Sequence, residues 1–399
     1  MCKIVSVICE YNPIHTGHVY QINKIRELHG GDAVVICVMS GHFVQRGTVA
    51  MFDKYARAEA AVKCGADLVL ELPFPYCVSS AEFFANAGVS IAAAVGTDIL
   101  AFGSECGDTD RLKRAAEIFS SDEAKDYIAA HKKEGILRSR QRIYERITGD
   151  NDGDIFSSND ILAVEYIRAI AAQNASVEPC AIVRKGADYN DTTSDTDFMS
   201  ATGLRECVLA SDYATAERYI PKPALDVFAS EIEKKSAPAD MKNLEKAILA
   251  FLRTVDPKSL SGLAEISGGL EFRIVSAAKA ASDIDSFFTL LETKKYTNAR
   301  LRRSVLYCMT GVTEAALKAR PLYTQVLAFR EKGRAHLNSI RKSAQIELLT
   351  NPRSYDSALS EGAKAQFLMS VKADELYTLS LPASRTAAEY MRRSPYVGD

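Results

Sequence analysis

The first hundred residues alternate short apolar, β-branched runs with helical patterns, and this rhythm constrains the fold more than any other feature. Residues 3–9 (KIVSVIC), 32–39 (DAVVICVM), 67–72 (DLVLEL) and 98–102 (DILAF) read as strands buried on both faces. Between them, residues 17–28, 53–63 and 79–95 carry helical spacing. Such a βαβα succession predicts a parallel sheet with helices on both faces, and ligands bind such sheets beyond the carboxyl ends of the strands. Residues 108–133 form a charged helical stretch, 149–158 a polar Gly/Asp-rich loop, 159–173 another helix, and 179–183 a strand able to extend the sheet. From about Tyr213 the strand rhythm gives way to Ala/Leu/Lys-rich helical patterns. The expected organisation is α/β, with a parallel-sheet domain over residues 1–220 and a mainly helical domain over 221–399. The boundary is placed near Pro221–Pro223.

Charge and cysteine usage narrow the function classes. The 399 residues carry a net charge of −2, so any nucleic-acid surface must be local. One segment fits: Ser286 to Gln345 holds twelve Lys/Arg against three Glu, a net +9, which leaves −11 for the rest. Tyr296, Tyr307 and Tyr323 interleave with these cations as candidate stacking partners for bases, although a solvated helix face would look similar. The nine cysteines include no CxxC pair and sit in apolar runs, as expected of thiols in a reducing compartment. The opening MCKIVSVICEYNP does not resemble a signal peptide, and no run of about 18 apolar residues occurs. A cytoplasmic protein with no membrane association is expected.

Five segments carry chemistry. Residues 8–18 (ICEYNPIHTGH) join the first strand to the first helix, and HTGH fits the HxGH motif of adenylate-forming nucleotidyltransferases. A glycine there lets backbone approach a nucleotide, and the helix start offers N–H groups to phosphate. His15 and His18, three apart, can both donate to phosphoryl oxygens. A turn with two helix-start histidines would also fit; a zinc site lacks a third ligand at sensible spacing, so no metal ligands are assigned. FMSATGLR (198–205) places Ser200 and Thr202 before a helical run with Arg205 in its first turn, either an N-cap or a second phosphate-facing helix start. MSGHFVQRG (39–47) follows the second strand, where substrate loops lie, and supplies Ser40, Gly41, His42, Gln45 and Arg46. FGSE (102–105) offers Gly103 for close ligand approach. Arg184 ends the strand before KGADYND and can stack on or pair with a nucleotide; a surface turn fits equally.

EYNPIHTGH, MSGHFVQRG, GADLVLELP, FGSE, SSNDIL and SATGLR, in this order and spacing, resemble the bacterial tRNA(Met) cytidine acetate ligase family. TKKYTNARLRR (293–303) resembles that family's C-terminal Tyr/Arg segment. The resemblance implies a Rossmann-like nucleotidyltransferase domain followed by a mainly helical tRNA-binding domain. It also implies activation of acetate by ATP, with Mg²⁺ carried on the phosphates. The acetyl group would pass to N4 of the wobble cytidine of elongator tRNA(Met), and no stable protein partner is inferred. Carried over by motif, the ATP site comprises Ile8, Cys9, Glu10, Tyr11, Asn12, Pro13, Ile14, His15, Thr16, Gly17, His18, Val19, Tyr20 and Gln21. Gly103, Asn159 and Arg184 join it, with Ser200 and Thr202 beside them and His15, His18 and Arg205 as catalytic residues. Lys294, Lys295, Arg300, Arg302 and Arg303 are the expected tRNA contacts. Three positions depart from the pattern: Asp160 replaces an asparagine, Asn190 a histidine and Gly203 a serine. Rival readings are a small-molecule adenylyltransferase of the pantothenate synthetase type, and a non-catalytic RNA-binding protein with a degenerate nucleotide domain.

Overall fold

The computed structural model describes residues 2–131, 135–150, 153–184, 199–293 and 295–399. Five strands run parallel: β1 (Ile4–Cys9), β2 (Val34–Ser40), β3 (Leu68–Leu72), β4 (Ile99–Ser104) and β5 (Glu178–Val183). Their order is β3-β2-β1-β4-β5. The connections therefore turn one way on one side of β1 and the other way on its far side, which opens a crevice at the carboxyl end of β1. Every residue of β2 and β3 is buried, as parallel strands covered on both faces require.

The helices follow the expected rhythm: α1 (Thr16–His29), α2 (Lys54–Lys63), α3 (Ala81–Ala94), α4 (Thr109–Ser120), α5 (Asp122–Ala130), α6 (Ile136–Thr148), α7 (Ser158–Ala172) and α8 (Ala201–Leu209). The charged stretch expected as one helix is two. Ser121 ends α4 and caps α5, its side chain accepting from Ala124 N at 3.2 Å.

The sheet continues past the boundary expected near Pro221. Strand β6 (Tyr323–Phe329) pairs antiparallel with β3, while β7 (Glu347–Leu349) and β8 (Tyr396–Val397) lie parallel to β6. The later half also contributes α9 (Asn298–Thr310), α10 (Glu331–Ile340) and α11 (Glu361–Thr378). One apolar cluster runs from Val5 to Tyr390 among the described residues. A buried ionic network ties the halves together. Lys54 Nζ donates to Glu71 (2.9 and 3.0 Å) and to Asp374 (2.9 Å), and His42 Nδ1 lies 2.7 Å from the other Asp374 oxygen. None of the helices is long and apolar enough to cross a membrane among the described residues.

Candidate active site

The crevice beyond β1 is lined by segments from across the parallel sheet. The loop after β1 gives Glu10, Tyr11 and Asn12, and the start of α1 gives His15, His18 and Gln21. Gln45, Arg46 and Thr48 come from the loop after β2, and Phe102 and Gly103 from β4. Ser158, Asn159, Leu162 and Tyr166 come from α7, Arg184 from the end of β5, and Ser200, Ala201, Thr202 and Arg205 from α8.

The histidines form a reciprocal cap on α1. His15 Nδ1 accepts from Gly17 N at 3.1 Å, and His18 Nδ1 accepts from His15 N at 3.2 Å. A neutral imidazole that accepts at Nδ1 carries its proton on Nε2. Both rings therefore present an Nε2–H donor, and their centroids lie 3.8 Å apart. Burial, then Arg184 and Arg205, lowers the His15 pKa to about 3. Burial, then His15 and Arg184, holds His18 well below its usual range. Two neutral donors and three arginines, Arg46, Arg184 and Arg205, thus line one space, an arrangement suited to anionic oxygens. Glu10 is the carboxylate in this lining; it accepts from Gln45 N at 2.8 Å, and burial raises its pKa against Gln45 and the nearby arginines.

The expectation of open N–H groups at the start of α1 needs correction. Thr16 N donates to Tyr219 O (2.8 Å), Gly17 N to His15 Nδ1, and His18 N to His15 O (2.9 Å). The imidazoles, and not the backbone, are the groups offered to a ligand. Arg205 reaches across the crevice, donating to Asn12 O and to Thr202 Oγ1, each at 2.9 Å.

The sequence profile of the HIGH Nucleotidyl Transferase family matches residues 2–392. A tRNA(Met) cytidine acetate ligase of Thermoanaerobacter sp. (strain X514) is 32% identical over 393 residues, covering 96% of this chain and 97% of its own. The enzyme of that name from Halothermothrix orenii is 32% identical over 367 residues, 87% of each chain. The chain belongs to the tRNA(Met) cytidine acetate ligase family. The crystal structure of Thermotoga maritima TmcAL bound with alpha-thio ATP superimposes with a TM-score of 0.90 at 30% identity, over 99% of both chains.

Seen against this ligase family, the residues carried over by motif divide into two sets. Ile8, Cys9, Glu10, Tyr11, Asn12, His15, His18, Gln21, Gly103, Asn159, Arg184, Ser200, Thr202 and Arg205 line the crevice, as do Gln45 and Arg46. Pro13, Ile14, Thr16, Gly17, Val19 and Tyr20 shape the turn and helix without lining it. Ser40, Gly41 and His42 are buried behind it. His42 stacks on Tyr377 and pairs with Asp374, so it supports the loop after β2 from below. Asp160 departs from the family pattern without touching the crevice lining. Its buried carboxylate accepts from Ser104 Oγ and from Cys106 N (3.0 Å), with Ser157 Oγ 3.0 Å away. Gly203 lies beside the cap, its N–H held by Ser200 Oγ at 3.1 Å. Asn190 and Lys294 lie outside the described residues.

The basic segment is not one surface. Arg303 is buried and forms a two-pronged pair with Glu265, its Nη2 at 2.8 Å and its Nε at 3.1 Å. Arg300 donates to Glu265 O at 3.1 Å and lies over the Tyr296 ring. Arg330 pairs with Asp67 and Lys332 with Gly31 O, at the amino ends of β3 and β2, opposite the crevice. Tyr296, Tyr307 and Tyr323 are buried, with their hydroxyls bonded to Ser267 O, Val78 O and Ser370 Oγ, so they are not open stacking partners. Arg302, whose guanidinium lies over the Phe288 ring, and the backbone of Arg303 are seated against the loop after β2. A Cβ on Gly47 (φ +76°) would lie 2.9 Å from Arg302 Cβ, so α9 packs directly on that loop. Sequence reasoning missed Phe84, Leu162 and Tyr166 in the crevice wall, because apolar residues on a helix facing a sheet read as core.

Proposed function

We propose that the protein is an ATP-dependent ligase that activates acetate as acetyl-adenylate and acetylates N4 of the wobble cytidine, C34, of elongator tRNA(Met). The observation that carries this reading is the convergence of the two histidine Nε2–H donors with Arg184 and Arg205 on one crevice. An acetate oxygen attacks the α-phosphorus, the α–β phosphate bond breaks, and pyrophosphate leaves with the electron pair. Both reactants are anions, so neutralisation and in-line alignment supply the catalysis. His15 and His18 donate to the phosphoryl oxygens, Arg205 adds fixed positive charge, and Arg184 holds the nucleotide. The cytidine amine then attacks the acetyl carbon, AMP departs, and the amine loses a proton.

Mg²⁺ would be carried on the phosphates of ATP and would supply charge neutralisation there. Among the described residues no three His, Cys, Asp or Glu converge to bind a cation, and the crevice presents mainly donors. The tRNA would enter over the loop carrying Gln45 and Arg46, and would meet Arg302 and the exposed Lys295. Incubation with ATP and labelled acetate, with and without bulk tRNA, tests the reading. Label in tRNA supports the ligase. Adenylate without transfer indicates a small-molecule enzyme, and neither product indicates a binding protein.

A further inference from the structure

Glu105 lies just past β4 at the crevice edge, outside the residues assigned to ATP above. Its carboxylate gathers side chains from two other elements. Oε2 accepts from Ser157 Oγ at 2.7 Å, Oε1 accepts from the Asn159 amide, and Arg184 Nε lies 3.6 Å from Oε1. Asn159 and Arg184 both line the crevice. The stem of Arg184 lies over Gly103, where a Cβ would sit 3.3 Å from Arg184 Cγ. The glycine therefore lets the arginine lie flat across β4 toward Glu105. We infer that Glu105 is a positioning residue that sets Asn159 and Arg184 for ATP.

The physical case rests on preorganisation. The Arg184 side chain is 44% exposed, and a long exposed side chain loses rotamer freedom on binding unless something already holds it. Glu105 supplies that hold with its negative charge, and one carboxylate can accept several donors at once. Asp160 has a different task nearby: it is fully buried and braces the backbone at Cys106. The role of Glu105 rests on the crevice being the ATP site.

The test is a double-mutant cycle in the full chain, read by ATP titration and by the KM and kcat of acetyl-adenylate formation. Glu105→Ala should weaken ATP binding about tenfold, the scale of a lost charged hydrogen-bond set. The change should fall on KM, with kcat within about twofold. In an Arg184→Ala background the same substitution should cost a smaller factor, because the two act as one unit. A merely structural role would lower the melting temperature without this coupling. Should Glu105→Ala fail to fold, Glu105→Gln carries the same cycle. Unchanged ATP binding by a folded Glu105 variant, or equal factors in both backgrounds, overturns the inference. If Arg184→Ala weakens ATP binding and Glu105→Ala does not, only the positioning role falls. If neither affects binding, the reading of the crevice itself falls.

Discussion

His18 presents its Nε2–H because the backbone of His15 occupies its other nitrogen. Replacing His18 by alanine removes one donor that the proposed chemistry directs at the phosphates. Acetyl-adenylate formation should fall by roughly 10²–10³ in a variant that keeps its circular dichroism. Near-parental turnover would remove His18 from the chemistry. His15 supports a second prediction, on stability. Its pKa, about 3 in the folded chain, lies below the ordinary histidine value of 6.5. Above pH 6.5 the ring is neutral whether folded or unfolded. As pH falls from 6.5 toward 3, the unfolded chain takes up a proton that the folded chain does not, and stability is lost. The loss is about 1.4 kcal/mol per pH unit. Urea midpoints of the parent, measured against His15→Gln, should therefore diverge between about pH 6.5 and 4.5 in the variant's favour. A constant difference would mean His15 is not held neutral. The strand–helix turn that brings both HTGH histidines to the crevice was legible in the sequence. Their tautomers were not legible, because these depend on backbone hydrogen bonds that exist only once the turn has closed.

At the scale of elements, α9 does two jobs that its run of arginines conceals. Arg300 and Arg303 face Glu265 and hold the helix, whereas Arg302 abuts the loop after β2 and Lys295, just before the helix, is exposed. Changing Lys295 and Arg302 to alanine should weaken tRNA binding and flatten its salt dependence by ~0.7–0.9 log units for each phosphate no longer neutralised. Adenylate formation without tRNA should hold. Arg303→Ala should behave differently, destabilising the fold by about 2 kcal/mol because it leaves the half-buried Glu265 carboxylate without its cation. Denaturant titration and tRNA binding at two salt concentrations separate the two classes. If the Lys295/Arg302 variant keeps the parental salt slope, this end of α9 is only a solvated face.

Across the whole molecule, the later half of the chain closes the edge of a sheet begun by the earlier half. Arg26 and Arg330 both pair with the buried Asp67 at the amino end of β3. Gly333, in α10, packs so closely there that an added Cβ would lie 1.9 Å from Asp67 O. Alanine in place of a helical glycine ordinarily stabilises by roughly 0.5–1 kcal/mol. Here the clash reverses the sign: Gly333→Ala should destabilise by about 1–3 kcal/mol as α10 is pushed off the sheet. The site lies at the end of the sheet opposite the crevice, so acetyl-adenylate turnover per folded molecule should be unchanged. An equally stable or more stable variant would show that α10 is not seated as described.

Local pattern was enough to specify the five-strand parallel sheet and the turn that carries HTGH. Periodicity records which residues are buried on both faces, and a strand–turn–helix junction is a short-range object. The long-range pairings were beyond its reach. Strand β6, YTQVLAF, sits among helix-forming residues and carries no sign of joining β3, some 250 residues away, because an edge pairing leaves no mark on either segment alone. The basic block divided for the same reason. Charge counts along a chain say nothing about which cation meets which carboxylate, and only folding brought Arg303 to Glu265, Arg330 to Asp67, and Arg302 to the loop of Gly47.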